Sequence, residues 1–295
     1  MFNSTIIPTI NRPTLSHAVQ SVLDQEFSAD GFEVIVVNDS GNPVPEMQWQ
    51  YSEKVRVIDT NRHERSVARN TGAAVAKGDF LHFLDDDDIL LPGALDAFWK
   101  LAQEAHDAAW LYGSWQTVDN EGRLVDEFHP ELTGNIFALL VSGEGLPLQA
   151  SLLKTKQFFM AGAYDPAPTL TGVEDRDLGR RIALVSTIAY TSAVVARIRI
   201  GEIGSSTNWA TIAEGDRRGR EKALQAHNAF NRLRESANSS YWRGRVARAY
   251  FASMVWNMKR RNPLIATGRL MAGLAITGLH LFSPDYWHGL NTRIR

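Results

Sequence analysis

The chain has 295 residues, 44% of them hydrophobic and 22% charged, with a formal net charge of −2. This is globular composition, long enough for one α/β domain with or without an appendage, and it excludes disordered and collagen-like classes. The absence of cysteine excludes disulfides and thiolate metal sites.

Met1 to Pro8 has no basic segment and no long apolar run, so the expectation is no signal peptide and a cytoplasmic location. The N-x-S/T triplets at Asn3, Asn38 and Asn238 are read as chance. Thr5 to Pro8 predicts a short strand. Leu15, Ala18, Val19, Val22 and Leu23 follow at helical spacing. Glu33 to Asn38 (EVIVVN) is a continuous β-branched run and predicts a buried parallel strand. Lys54 to Ile58 predicts another. Arg65 to Lys77 predicts a helix with Val67, Thr71, Ala74 and Val75 inward, stopped by Gly78. Asp79 to Leu84 predicts a strand that runs into four aspartates, and Pro92 opens a helix to about Glu104. The alternation implies an α/β fold with a parallel sheet and helices on both faces. Farther on, Trp110 to Val118 and Arg123 to Phe128 predict strands joined by the turn Asn120-Glu121-Gly122. Asp175 to Leu184 predicts a helix and Ile188 to Ile200 a strand. From about residue 215 the pattern is helical, basic and aromatic.

Ligands of a doubly wound sheet bind beyond the carboxyl ends of its strands. Polar clusters follow three predicted strands directly: Pro8-Thr9-Ile10-Asn11-Arg12, Asn38-Asp39-Ser40-Gly41 and Asp85-Asp86-Asp87-Asp88. Any one could be caps and turn formers; three in succession point to a ligand site. Four adjacent carboxylates repel unless a cation or solvent compensates. Hard oxygen ligands suit Mg²⁺ or Mn²⁺, held through one or two carboxylates and substrate phosphates. The competing reading is a solvated acidic loop before the helix at Pro92.

The segments STIIPTINRPTLSHAVQSVLDQ, EVIVVNDSG and RHERSVARNTGAAVAKGDFLHFLDDDDILLP resemble, in order and spacing, the family 2 glycosyltransferases with the Rossmann-like glycosyltransferase A-type (GT-A) fold. The resemblance covers roughly residues 4 to 105 and continues more weakly to about residue 206. It implies an inverting, metal-dependent transfer of a sugar from a nucleotide-sugar, UDP-sugars being the expected class, to an acceptor hydroxyl in cell-surface glycan or polysaccharide synthesis. By position it implies that Pro8, Thr9, Asn11 and Arg12 line the nucleoside pocket and that Asp39 contacts the base. Arg65, Arg69 and Asn70 belong to the segment closing over the nucleotide. Asp85 and Asp87 match the ends of a D-x-D motif, facing ribose or metal and binding Mn²⁺ or Mg²⁺. Asp86 lies between them on the donor side, and Asp88 is a helper.

The later runs Gly162-Ala163-Tyr164-Asp165 and Gly172-Val173-Glu174-Asp175-Arg176-Asp177-Leu178 resemble the family's acceptor-side pattern. This makes Asp175 the general base, with Glu174 the alternative. An acceptor hydroxyl must lose a proton as it attacks the anomeric carbon, and a carboxylate can take it. The competing reading is a pair of acidic residues favoured in a first helical turn. Two departures matter. The Gln-x-x-Arg-Trp signature of processive synthases is absent, which implies single-sugar transfer. Glu202 stands where many relatives carry histidine before Gly-Ser. His63 and His82 are read as structural. The rival functions are a nucleotidyltransferase on a similar fold, and a non-catalytic nucleotide-sugar-binding module. Against the first, the loop after the first strand is not Gly-rich.

Residues 1–214 carry 16 Lys+Arg against 29 Asp+Glu, a net of −13, and residues 215–295 carry 15 against 4, a net of +11. The expected organisation is therefore a catalytic domain over 1–214 and a basic helical extension over 215–295. Trp242, Val246, Tyr250, Met254 and Met258 recur every fourth residue among arginines. Such a face can lie on an anionic membrane surface, which would make the protein peripheral on the inner face of the cell membrane. The alternative is helices packed on the acidic body or in a homo-oligomer. Leu264 to Phe282 is more apolar but interrupted by Arg269 and His280, short of a convincing span. No nucleic-acid motif accompanies the charge. The remaining expected partners are the nucleotide-sugar donor and a glycan or lipid-linked acceptor.

Overall fold

A computed structural model describes residues 2–27, 31–60, 62–200 and 209–292; the departure at Glu202 lies outside them. In chain order the elements are β1 (Asn3–Thr9), α1 (Leu15–Leu23), β2 (Phe32–Asn38), β3 (Val55–Asp59), α2 (Arg65–Val75), β4 (Phe80–Phe83), β5 (Ile89–Leu90), α3 (Ala94–Glu104), β6 (Ala108–Val118), β7 (Leu124–Phe128), α4 (Phe137–Val141), β8 (Ser151–Lys154), α5 (Thr155–Met160), α6 (Glu174–Ala183), β9 (Thr187–Arg199), α7 (Trp209–Leu224), α8 (Ala229–Ser236), α9 (Ser240–Lys259), α10 (Pro263–Thr277) and α11 (Pro284–Asn291).

The sheet runs β3-β2-β1-β4-β8-β6-β9-β5, with β7 paired to β6. The first four strands are parallel, as expected from the βα alternation. Beyond them the sheet is mixed: β8 runs antiparallel to both β4 and β6, and β6 and β9 are parallel. The expectation of a parallel sheet therefore holds only for the N-terminal half. After β4 the chain no longer returns through crossover helices at each step, and antiparallel pairing needs none. The fold class stands as α/β, Rossmann-like, with a helical C-terminal region.

β2 forms because β-branched side chains fit a strand buried on both faces. Val34, Ile35, Val36 and Val37 are wholly buried, each stabilising by roughly 1.5–3 kcal/mol. A charge at Ile35 would break this layer. On α2 the inward face differs from the expected one. Val75 is exposed and Val67 only half-buried, whereas Ala68, Arg69, Gly72 and Ala73 face inward. Small residues win there because the helix lies close to β1: a Cβ at Gly72 would come within 2.5 Å of Ile6 Cγ2. Gly78 is not the helix stop, since α2 ends at Val75 with Ala76 already extended. Its role is close approach, a Cβ there meeting the Ser4 nitrogen at 2.5 Å.

α7 crosses the expected 214/215 boundary, so the basic third is continuous with the helix before it. Buried charge joins it to the body. Arg180 Nη2 lies 2.6 Å from Asp216 Oδ1, and Arg220 reaches the other oxygen at 2.8 Å. Arg245 of α9, itself buried, pairs with Glu144 at 2.6 Å and donates to the Ser142 carbonyl at 3.0 Å. Val246 and Tyr250 are buried as well. The α9 face expected to meet lipid is thus largely spent on packing, because two of its central residues have their apolar surface covered by the protein's own helices.

Candidate active site

Three strand ends converge. Pro8 and Thr9 end β1 and Ile10 and Arg12 follow it, Asp39 follows β2, and Asp85 to Asp88 follow β4. With His63, Arg65, Ala68, Arg69, Gln149, Ile198 and Arg199 they line a cleft of about 380 Å³.

Each acidic group has a distinct setting. Asp86 is buried; its Oδ2 accepts from Thr9 Oγ1 at 2.6 Å and its Oδ1 from Arg12 at 2.9 Å. It ties the end of β1 to the acidic turn. Arg12 also meets Asp87 at 2.8 Å. Burial opposes the charge on Arg12, but Asp86, Asp87 and Asp85 outweigh it and raise its pKa. Asp85 accepts from Arg69 at 2.6 Å and from the Gln149 amide at 2.9 Å. Burial would raise its pKa, yet Arg69 prevails and holds it low. Asp88 is buried, accepts the Arg199 backbone N–H at 2.8 Å, and is pushed well up by burial and by Asp85.

Carboxylate oxygens of Asp85, Asp87 and Asp88 lie within 4.8 Å of one another. An all-oxygen set of this kind fits Mg²⁺ or Mn²⁺. It includes both residues expected to hold a metal and the expected helper.

Asp39 is buried and holds the segment leading into α2. It accepts from Thr60 Oγ1 at 2.7 Å and from the backbone N–H groups of Arg62 and Glu64, each at 2.6 Å. Burial raises its pKa, and these donors more than offset the rise. Glu64 in turn caps α2, accepting from Ser66 N at 3.0 Å and Val67 N at 2.7 Å. This segment delivers Arg65 and Arg69 to the cleft.

Arg69 joins the Asp85 row to the start of α6. It is buried, pairs with Asp85, lies 3.5 Å from Glu174 Oε1 and sits over the Tyr164 ring at 5.2 Å. Arg65 approaches the same Glu174 oxygen at 3.4 Å. Glu174 Oε2 accepts the Gly172 N–H at 2.6 Å, closing the turn that starts α6. Asp175 follows in the first turn of that helix. Its Oδ1 is enclosed and has no hydrogen-bond partner among the described residues. Burial raises its pKa, with Arg69 opposing and Glu174 and Asp85 adding to the rise.

Several expected residues do other work. Asn11 adopts a left-handed backbone (φ 65°), and its amide donates to Ser40 Oγ at 2.8 Å. It shapes the loop after β2 and does not line the cleft. Both ends of the Asn70 amide engage the Tyr164 backbone, at 2.8 and 2.9 Å. It tethers α2 to the loop before α6. Glu174 and Asp175 also lie outside the lining, behind Arg69. Gln149, Ile198 and Arg199 line the cleft without having been expected. They come from chain distant in sequence and carry no local signature. His82 is structural, as expected: it lies between Thr5 Oγ1 at 3.2 Å and the Gln149 carbonyl at 2.9 Å.

Residues 4–134 match the family described as Glycosyl transferase family 2. Over that segment the chain is similar to glycosyltransferase family 2. Among similar proteins, the GalNAc(5)-diNAcBac-PP-undecaprenol beta-1,3-glucosyltransferase of Campylobacter jejuni is 30% identical over 165 residues, covering 54% of this chain and 47% of that one. The poly(ribitol-phosphate) beta-N-acetylglucosaminyltransferase TarP of Staphylococcus aureus is 29% identical over 128 residues, covering 41% and 38%. The chain spans about half the length of the curated relatives it matches. The crystal structure of S. aureus TarS 1–349 in complex with UDP-GlcNAc superposes with a TM-score of 0.64 at 18% identity, covering all of this chain and 94% of that one. The chain therefore has the GT-A fold over its described length.

Proposed function

We propose that the protein transfers a single sugar from a nucleotide-sugar, with UDP-sugars as the donor class, to an acceptor hydroxyl on a glycan or lipid-linked glycan, with inversion. One observation carries the reading: in a chain similar to glycosyltransferase family 2, Arg69 joins Asp85 at the strand ends to Glu174, the neighbour of Asp175, at the start of α6. Donor chemistry in the cleft and acceptor chemistry behind Arg69 are then neighbours. The TarS complex with UDP-GlcNAc supports the donor class, and the undecaprenol-linked substrate named for the Campylobacter relative supports the acceptor class.

In this reading Asp39 and the residues after β1 hold the nucleoside end. Asp85 and Asp87, with Asp88, hold Mn²⁺ or Mg²⁺, which when bound offsets charge on the diphosphate leaving group. Arg12 and Arg65 are the cations at the cleft wall that face the phosphates. Asp175 takes the proton from the acceptor oxygen as that oxygen attacks the anomeric carbon. Burial suits it to the task, because a raised pKa makes a stronger base. Attack opposite the leaving diphosphate inverts the anomeric centre.

Calorimetry with UDP, with and without Mn²⁺, tests the donor half. The wild type should bind UDP more tightly with metal, and Asp87→Ala should lose the metal-dependent part while melting normally. Equal metal-dependent affinity in both proteins would remove Asp87 from the site.

A further inference from the structure

We infer that the outer face of α10 and the turn after it form a docking surface for an anionic lipid bilayer, on which the helix lies in the plane of the membrane. This surface is separate from the cleft, and the inference does not rest on the proposed transfer reaction.

Pro263–Phe282 is the one helical stretch among the described residues long and apolar enough to cross a membrane, and only 17% of it is buried. Its inner side is built for packing. Ala266 and Ile276 are buried, and Gly273 fits tightly against the Phe251 ring. Its outer side exposes large apolar side chains: Leu264, 89% exposed, Met271 and Leu274 on α10, and Leu279 and Phe282, the latter 78% exposed, on the turn after it. Large apolar side chains exposed in this number on a monomer mark an interaction site.

Spanning is excluded by what holds the helix down. Arg269, near its middle, pairs with the buried Glu221 of α7 at 2.7 Å. At the last residue of α10, the Thr277 hydroxyl meets that of Tyr286 at 2.6 Å. Crossing the bilayer would strip both contacts and leave Glu221 buried without its cation. Lying flat keeps them.

Charge selects the partner. Lys259, Arg260 and Arg261 are exposed at the turn between α9 and α10, directly before these apolar side chains. Neither Lys259 nor Arg261 has an ion-pair partner among the described residues. Within 255–295 only Asp285 is acidic. A cationic end on an apolar face complements an anionic lipid surface, and repels a second copy presenting the same cations.

Co-sedimentation of the full chain with vesicles tests this without catalysis. Vesicles of equimolar phosphatidylcholine and phosphatidylglycerol should pull the protein down at low salt, and phosphatidylcholine alone should do so much less. High salt should release part of the bound protein. The Lys259→Gln/Arg261→Gln variant should lose about five-fold in affinity per charge for anionic vesicles only. The Leu274→Glu/Phe282→Glu variant should lose at least about ten-fold, by removing apolar insertion and adding like charge. All four positions are exposed, so unchanged melting temperatures will show the fold intact. Background sedimentation of the wild type with anionic vesicles at low salt would overturn the inference. So would a stable dimer by light scattering that the Leu274/Phe282 changes dissociate without affecting sedimentation.

Discussion

The cleft and the helical third use the same residue types in opposite ways. Ion pairs to the row Asp85 to Asp88 come from Arg12 and Arg69, and Asp88 takes a backbone N–H instead. Those pairs stand at the open cleft, with Arg65 and Arg199 also in its lining. Where α7 and α9 meet the body, Arg180 and Arg220 enclose Asp216, and Arg245 meets Glu144. There the arginines outnumber the carboxylates, and Arg180 and Arg245 are buried. Clustered carboxylates at an open strand end mark a place for a ligand, and ion pairs buried under a helix mark a joint.

The comparison breaks first if the joint can be cut cheaply. Asp216→Asn would leave Arg180 buried without its anion, and unfolding free energy should fall by roughly 3–5 kcal/mol. Denaturant titration measures this; a loss below about 1 kcal/mol would mean the joint is decoration. Burial would raise Asp216, but Arg180 and Arg220 hold it at about 2. Its contribution is therefore present above the usual carboxylate range and is lost as pH falls toward 2.

His82 sharpens the contrast under the sheet. Burial pushes its pKa from 6.5 down to about 4. It stays neutral in the folded state, so stability is present above about pH 6.5 and is lost as pH falls toward 4. The loss amounts to about 3 kcal/mol. Unfolding curves at several pH values for the wild type and His82→Asn should differ in slope over that window and run parallel above it.

Behind Arg69, Asp175→Asn should lower transfer by about 10²-fold, close to 2.7 kcal/mol, while calorimetric UDP binding persists. Near-normal turnover would move the base to Glu174. At the small end, Lys100→Ala removes an exposed pair with Asp96, and melting should not move measurably, as expected of surface pairs.

Much of this was legible because the N-terminal half announces itself locally. β2 is a β-branched run, and each of its neighbours stops at residues that cannot continue a strand comfortably. The polar clusters after β1, β2 and β4 could be placed at one edge from topology alone. What was not legible depends on direction or distance. Apolar periodicity put Val67 and Val75 inside α2, but Gly72 and Ala68 permit the close approach to β1, and Arg69 turns inward because carboxylates wait there. Asn11 and Asn70 have the right chemistry for a ligand, yet the Ser40 hydroxyl takes up the Asn11 amide nitrogen and the Tyr164 backbone both ends of the Asn70 amide. Gln149, in the turn before β8, and Arg199, at the end of β9, reach the cleft through a strand order that no short pattern encodes. The aromatic row on α9 was visible, but which side of it the body would cover was not.

Arg69 has one further consequence. A single planar cation serves two carboxylates on different elements, Asp85 and Glu174, with Tyr164 beneath it. A lysine keeps the charge but has no fork to divide between them, so the substitution that sequence tables score as mild is here a severe one. Asp85 and Glu174 share that cation. Substituting one should therefore change the cost of substituting the other by an amount on the order of 0.5–3 kcal/mol.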